Sequence, residues 1–399
     1  MKYFGHAQFK QSGNTPIVII LIVILVIGIV LGVKPIRQKI FRLIKPTTQV
    51  TPAPSQTPTG SKNIPAPAPN KSDKYGVIVS ILLPQDPFFD SAMNYAGALG
   101  IGWIRIGNQW NDTEPKDNSW DFSDTDKYID TALANGLKVL LFFDDDLNSS
   151  FCSAPGGRFK NPLRSESPRC TDEQIKDYIT HVVTRYKGKV THYEIGNEPD
   201  LRKTWRDYPE EYAKLLSLAY PTIKSVDPNA LVLIGGLGAG DGQELDYLDR
   251  IKATDPNYLN NFDIFNYHTY DNKEHITAKY YELRVKVGNK PFWITEVGHP
   301  SDPFYQKKFR LADLSYPDGE DGQAEYLKDM LPHILSLGVE KVFWADLVDV
   351  PRERTEFCTI GLVYIPGKQC LDIGEEEGRK VSGELKTKKA FDAYQELTQ

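Results

Sequence analysis

The chain has 399 residues, of which 40% are hydrophobic and 11% aromatic, so it can bury a large core, which excludes a disordered or fibrous protein. Its formal net charge of -6, with no basic stripe interleaved with aromatic residues, disfavours nucleic acid as a partner. One sizeable catalytic-type domain is the natural expectation.

An apolar run from Ile17 to Val33 contains only aliphatic residues and two glycines. At about 1.5 Å per residue it reaches the short end of a bilayer span. We interpret it as an uncleaved anchor rather than a signal peptide, because Val30-Leu31-Gly32 is a poor cleavage site. Two lysines precede the run and five basic residues follow it, and the positive-inside rule would keep the C-terminal side cytoplasmic.

The cysteines favour the opposite orientation. Cys152 with Cys170, and Cys358 with Cys370, form two sequence-local pairs in segments rich in Pro, Gly and charge. This pattern is typical of two loop-closing disulfides in an oxidising compartment, with four unrelated thiols as the alternative. A zinc site is disfavoured because no C-x2-C spacing occurs. We therefore expect a single-pass cell-membrane protein whose catalytic domain is extracytoplasmic.

Three regions follow from this interpretation. Residues 1–45 would form a cytoplasmic tip, the membrane anchor and a basic juxtamembrane segment. Residues 46–73 carry seven prolines among Thr, Ser, Gln and Ala, which predicts an extended, semi-rigid linker. Residues 74–399 would form the globular domain.

In that domain, short β-rich runs alternate with amphipathic stretches of helical length, as in βαβ units around a parallel sheet. The eight predicted strands are Gly76 to Leu82, Trp103 to Ile106, Lys138 to Phe143, Val190 to Ile195, Leu231 to Ile234, Ile264 to Tyr267, Pro291 to Thr295 and Lys341 to Ala345. The predicted helices are Asp124 to Asn135, Asp172 to Tyr186, Glu210 to Val226, Leu245 to Lys252, Ala278 to Val287, Gln323 to Leu337 and Lys386 to Leu397.

The helix after the third strand shows the basis of these predictions, since Thr171 and Gln174 make a capping box ahead of an apolar stripe. Eight right-handed units of this kind close into a (β/α)8 TIM barrel. A doubly wound open sheet is the alternative, but no G-x-G-x-x-G follows the first strand.

Two glutamates lie where such a barrel does its chemistry, at the C-terminal ends of the strands. Glu198 follows the fourth predicted strand and Glu296 follows the seventh. Glycosidic cleavage needs a carboxylic acid to protonate the leaving oxygen and a carboxylate for the oxocarbenium-like centre. Carboxyl groups about 5 to 5.5 Å apart would give a covalent intermediate and retention, whereas a wider gap would give inversion.

The two motifs, Asn197-Glu198-Pro199 and Trp293-Ile294-Thr295-Glu296, resemble those of the clan A retaining glycoside hydrolases. The resemblance covers roughly Tyr75 to Gln399. It implies that Glu198 is the acid/base, that Glu296 is the nucleophile, and that Asn197 binds the sugar 2-hydroxyl. The segment from Trp110 to Phe122 looks like the loop after strand two in the xylosidase-like and cellulase-like branches.

The same resemblance implies roles for four further residues. Arg105 would fix the nucleophile and keep it ionised, His268 would face the sugar, Tyr270 would hydrogen-bond Glu296, and Trp344 would be a stacking floor. A structural ion pair, a core histidine and core aromatics are the alternative interpretations. Trp110 and Trp205, in predicted active-face loops, could stack on sugar rings or simply pack.

We therefore expect a retaining O-glycoside hydrolase that acts on an extracellular β-linked oligo- or polysaccharide, with no cofactor and no catalytic metal. The alternatives are a non-catalytic carbohydrate-binding or adhesion barrel, and a transglycosylase of wall or exopolysaccharide glycans. The sequence leaves open the sugar, the linkage, exo or endo action and the oligomeric state.

Overall fold

The structure is a computed structural model that describes residues 67–79, 82–144, 170–201, 205–239, 242–308, 316–349, 356–366 and 384–399. The predicted anchor and most of the predicted linker lie outside these ranges. Among the residues within them, no helix has the length and apolar character needed to cross a bilayer. The described part belongs to a single compact unit, Ser61–Gln399.

The predicted disulfides are only partly within the described residues. Cys170 and Cys358 are buried, and neither is a free thiol. Cys152 and Cys370 lie outside the described ranges, so the pairing of the four cysteines stays a prediction.

The predicted (β/α)8 barrel is confirmed. Its parallel strands are β1 Ser72–Ile78, β2 Ile101–Asn108, β3 Lys138–Phe143, β4 His192–Ile195, β5 Leu231–Ile234, β6 Phe265–His268, β7 Phe292–Val297 and β8 Lys341–Trp344. They are hydrogen-bonded in the order β5-β4-β3-β2-β1-β8-β7-β6. Parallel bridges from Leu233 to Ile264 and from Leu237 to Tyr267 join the two outer strands and close the barrel.

Helices cover the outside of this sheet. They are α1 Phe89–Ala98, α2 Trp110–Thr113, α3 Ser123–Ala134, α4 Asp172–Tyr186, α5 Pro209–Val226, α6 Gln243–Thr254, α7 Lys273–Val287, α8 Pro303–Lys308, α9 Glu320–Ser336 and α10 Lys389–Thr398. Two 3-10 helices, Tyr258–Asn261 and Glu356–Thr359, and a short antiparallel pair, β9 Val363–Tyr364 with β10 Lys386–Thr387, complete the described elements.

The α4 helix forms as its sequence predicts. The Thr171 side chain accepts from the Gln174 backbone N–H while the Gln174 side chain accepts from the Thr171 N–H, which completes the capping box. The whole predicted apolar stripe is buried, namely Ile175, Tyr178, Ile179, Val182 and Val183. Capping and apolar periodicity thus specify the same helix.

The prediction for the first strand was displaced by four residues. Observed β1 begins at Ser72, where the pattern is polar, because its first residues pair with β2 from Ser72 onward. Asp73 accepts hydrogen bonds from Lys138 and Lys341, both at 2.6 Å, and from the indole of Trp103 at 2.9 Å. These side chains, at the N-terminal end of the barrel, stabilise a polar start that periodicity alone does not predict.

Side chains fill the barrel interior below the active face. Six buried residues form a cluster of their own, namely Trp103, Leu140, Leu233, Ile264, Trp293 and Phe343. Gly76 on β1 faces this cluster so closely that a Cβ there would lie 2.4 Å from the Phe343 ring. The packed interior leaves the C-terminal ends of the strands as the place for a site.

Candidate active site

The two predicted glutamates lie at the C-terminal ends of opposite strands. Glu296 belongs to β7, and Glu198 follows β4 after Gly196 and Asn197. Glu198 has a φ of 47°, in the left-handed region that non-glycine residues rarely occupy, and Gly196 before it has a φ of 79°. Strain of this kind persists where the surrounding structure fixes it, and it commonly marks functional positions.

The carboxyl groups of Glu198 and Glu296 are close together and share one neighbour. His268 Nδ1 lies 3.2 Å from Glu198 Oε1 and 3.4 Å from Glu296 Oε1. One oxygen of each carboxylate and a ring nitrogen of His268 all lie within 4.8 Å of one another. Both glutamate side chains keep some exposure, 21% for Glu198 and 14% for Glu296, so they face an opening in the otherwise buried face.

Arg105 on β2 connects the two strands that carry these glutamates. Its Nη1 donates to Glu296 Oε1 at 2.8 Å, and its Nη2 donates to Asn197 Oδ1 at 2.7 Å. Burial alone would lower the pKa of the guanidinium, but the charges of Glu194 and Glu296 outweigh it and raise that pKa. Arg105 is therefore a permanent cation against the candidate nucleophile.

Glu194 is the main site residue that the sequence reasoning missed. It is fully buried on β4, and Arg105 donates to its two carboxylate oxygens, from Nε at 2.7 Å and from Nη2 at 2.8 Å. Gly236 N–H and Asn266 Nδ2 also donate to it, at 3.0 and 2.9 Å. A signal was present, because a carboxylate inside an apolar strand must find a cation or several donors.

Tyr270 completes the environment of Glu296. Its hydroxyl donates to Glu296 Oε2 at 2.8 Å. Burial and then the negative charge of Glu296 raise the pKa of this phenol, so the hydroxyl keeps its proton and remains a donor. Each oxygen of Glu296 thus accepts at least one hydrogen bond, from Arg105 or from Tyr270.

Trp110, Trp205 and Trp344, for which sugar stacking and core packing were the two interpretations, are all buried. Trp110 packs parallel to Tyr178 with the ring centroids 4.4 Å apart, and Trp205 packs against Tyr212. Trp344 ends β8 as predicted, but its indole donates to the Ile360 carbonyl and none of its surface is exposed. These observations favour the packing interpretation for all three rings.

An exposed aromatic residue does lie beside the site. Phe357, in the 3-10 helix Glu356–Thr359, is 38% exposed. Its ring packs edge-on against Tyr270 with the centroids 5.2 Å apart. Phe357 was not predicted as a site residue, because the long segment after β8 has neither helical nor strand periodicity.

Glu198, His268 and Glu296 also have the spacing of a possible metal site, the one such group among the described residues. The electrostatics disfavour a cation there. Arg105 Nη1 already lies 2.8 Å from Glu296 Oε1, and a metal ion bound to the same carboxylate would be repelled by this positive charge in a largely buried setting.

Comparison with known proteins finds glycoside hydrolases. The sequence model of the cellulase family, glycosyl hydrolase family 5, matches residues 90–304. An endo-1,4-beta-xylanase C from Paenibacillus barcinonensis is 24% identical over 200 residues, which cover 44% of this chain and 18% of that protein. The match thus spans less than a fifth of the xylanase.

Two solved structures share the fold. A family 39 glycoside hydrolase from the gut symbiont Bacteroides cellulosilyticus WH2 is 19% identical, with a TM-score of 0.54 over 82% of this chain and 63% of that one. A family 39 enzyme from Xanthomonas axonopodis pv. citri is 17% identical, with a TM-score of 0.55 over 86% of this chain and 71% of that one.

Proposed function

The chain belongs to the cellulase family, glycosyl hydrolase family 5, and is a glycosidase that acts on O-glycosyl compounds; from this premise we propose that it cleaves a β-linked oligo- or polysaccharide with retention. Glu296 is the nucleophile and Glu198 the acid/base. The observation that carries the proposal is the pair of carboxylates whose nearest oxygens lie within 4.8 Å. A gap this small favours direct attack on the sugar over attack by an intervening water.

The surroundings of the two carboxylates support different roles for them. Glu296 accepts from Arg105 and Tyr270, which stabilise a negative charge and align the carboxylate for attack on the anomeric carbon. Glu198 pairs with His268, whereas the guanidinium of Arg105 donates to Glu296. Glu198 is therefore the better of the two to carry a proton to the leaving oxygen.

Asn197 would bind the sugar next to the reacting carbon. Its Oδ1 accepts from Arg105, which fixes the amide and leaves Nδ2 as a donor. We propose that Nδ2 donates to the sugar 2-hydroxyl, a contact that strengthens in the transition state of such enzymes.

A fluorinated substrate tests the covalent route. A 2-deoxy-2-fluoro glycoside with a good leaving group should inactivate the protein, and mass spectrometry of the digest should find one added sugar on the peptide that carries Glu296. Labelling of another carboxylate, or no labelling by a compound whose parent glycoside is hydrolysed, would contradict the assignment.

The substrate and its location are part of the same proposal. A panel of aryl glycosides and β-linked polysaccharides, xylan and cellulose first because of the related proteins, would identify the sugar. Product analysis at high acceptor concentration would separate hydrolysis from transglycosylation. We further propose that residues 1–45 hold the domain at the cell membrane on its outer side, with residues 46–73 as the linker. Protease treatment of intact cells tests this, since an extracytoplasmic domain should be cleaved without lysis.

A further inference from the structure

A row of hydrogen bonds runs through the barrel from Glu194 to His268. Asn266 Nδ2 donates to Glu194 Oε1 at 2.9 Å. Thr295 Oγ1 donates to Asn266 Oδ1 at 2.9 Å, and it lies 2.9 Å from His268 Nε2. Three strands supply these residues, and all four side chains are buried. We call them the relay.

Each link of the relay has one permitted direction. Glu194 is paired with Arg105 as a carboxylate and can only accept, so Asn266 must turn its amide nitrogen toward it. The amide oxygen of Asn266 then faces Thr295 and also can only accept. Thr295 has a single hydroxyl proton, which it must give to Asn266. Its oxygen can therefore only accept from His268, whose Nε2 must carry a proton.

From these directions we infer that Glu194, Asn266 and Thr295 are positioning residues that fix His268 in its Nε2–H tautomer, so that a bare Nδ1 accepts a hydrogen bond from protonated Glu198. This inference rests on the acid/base role proposed for Glu198. His268 Nδ1 lies 3.2 Å from Glu198 Oε1 and 3.4 Å from Glu296 Oε1. Because Arg105 and Tyr270 hold Glu296 as the acceptor, the proton that Nδ1 binds is that of Glu198.

The fixed tautomer acts in both halves of the reaction. Before the first step, the bare Nδ1 stabilises Glu198 in its protonated form, ready to protonate the leaving oxygen. After that transfer, a Glu198 carboxylate faces a nitrogen lone pair, which disfavours the charged form. Recovery of a proton from the attacking water is then more favourable, as the base step requires.

The tautomer can be measured directly in the unmodified protein. Long-range 1H–15N correlation spectra of the full chain labelled with 15N-histidine distinguish a bare ring nitrogen from one that bears hydrogen, and a His268→Gln sample assigns the signals of His268. We expect the bare nitrogen to be Nδ1. A neutral His268 with its proton on Nδ1 would overturn the inference.

Two substitutions at one position test the consequence for catalysis. Thr295→Val keeps the shape of the side chain but removes the hydroxyl, so His268 is free to place its proton on Nδ1 and donate to Glu198. The alkaline limb of the kcat/KM profile should then move to lower pH by roughly one unit. Thr295→Ser restores the hydroxyl and should restore the limb.

A purely structural role would lower the melting temperature and the rate without moving that limb, and this result would overturn the inference. The spectra also separate the inference from the proposed function. An Nε2–H tautomer in a protein whose Glu198→Gln variant keeps full activity would leave the relay standing and would refute the acid/base assignment alone.

Discussion

Replacing Gly238 by alanine is expected to slow the reaction without unfolding the barrel, because the new methyl group would press on Glu198. A Cβ at Gly238 would lie 2.9 Å from Glu198 Oε1, and it would lie at an ordinary contact distance of 3.4 Å from both His268 and Leu201. The Gly238 N–H that donates to Asp200, at 3.0 and 3.1 Å to its two oxygens, is kept in the variant. The carboxyl group of Glu198 is therefore the part that must move.

The size of the effect follows from the distance. To reach an ordinary contact, the carboxyl oxygen must retreat by about 0.5 Å. Since a misplacement of about 1 Å can cost roughly 10²-fold in rate, we expect a loss of about tenfold in kcat/KM, or about 1.4 kcal/mol of transition-state stabilisation. The loss should be larger for a substrate whose leaving group needs protonation than for one with an acidic phenol.

Gly76→Ala is the matched control. Its Cβ would lie 2.4 Å from Phe343 in the packed interior, far from the opening at Glu198. Overpacking there should cost about 1–3 kcal/mol of folding free energy but leave kcat/KM of the folded protein unchanged. Steady-state kinetics on two aryl glycosides and thermal unfolding would be measured for both variants. An unchanged kcat/KM for Gly238→Ala would refute the argument that Glu198 is the acid/base.

Three other outcomes are expected. Burial and nearby lysines lower the pKa of His192 to about 4 from 6.5. The free energy of unfolding should therefore fall by at most about 3 kcal/mol as the pH drops from about 6.5 to 4. His192→Phe should remove this pH dependence in urea titrations. Arg105→Lys should lower kcat/KM by at least 10²-fold and also lower the melting temperature, because an ammonium group cannot make the two parallel hydrogen bonds that the guanidinium makes to Glu194. Near-normal activity would contradict this prediction. Phe357→Ala should raise KM for oligosaccharides severalfold with little effect on an aryl monoglycoside, because its exposed ring lies against Tyr270. Phe304→Ala, which removes another exposed phenylalanine, should change neither value.

Much of the barrel could be predicted because its strands and helices differ strongly in periodicity. The bounds of β3, β5 and α4 agree with their predicted ranges. Helix α1 was not predicted, since its N-cap, Phe88, makes no side-chain capping bond and so gives no start signal. The first strand was displaced because its polar start is stabilised by residues from three distant parts of the chain.

The site residues were predictable where a polar residue at the end of a strand belongs to a motif with one chemical role. Arg105, His268, Tyr270 and Asn197 all lie with the two glutamates, as their motifs suggested. The roles of the aromatic residues were not predictable, because whether an indole packs in the core or lines a cleft depends on the loops above it. Glu194 was missed because the role of a buried charge becomes visible only with its partners.

The exchange of azide for a missing carboxylate tests the central claim most directly. Glu296→Ala should lose hydrolysis, and with azide it should yield a glycosyl azide of inverted configuration, since the anion takes the place of the nucleophile. Glu198→Ala should be slowed by roughly 10²- to 10⁴-fold and yield the azide of retained configuration, formed from the glycosyl-enzyme. Undiminished hydrolysis in either variant, or the two configurations exchanged, would contradict the roles assigned to this pair.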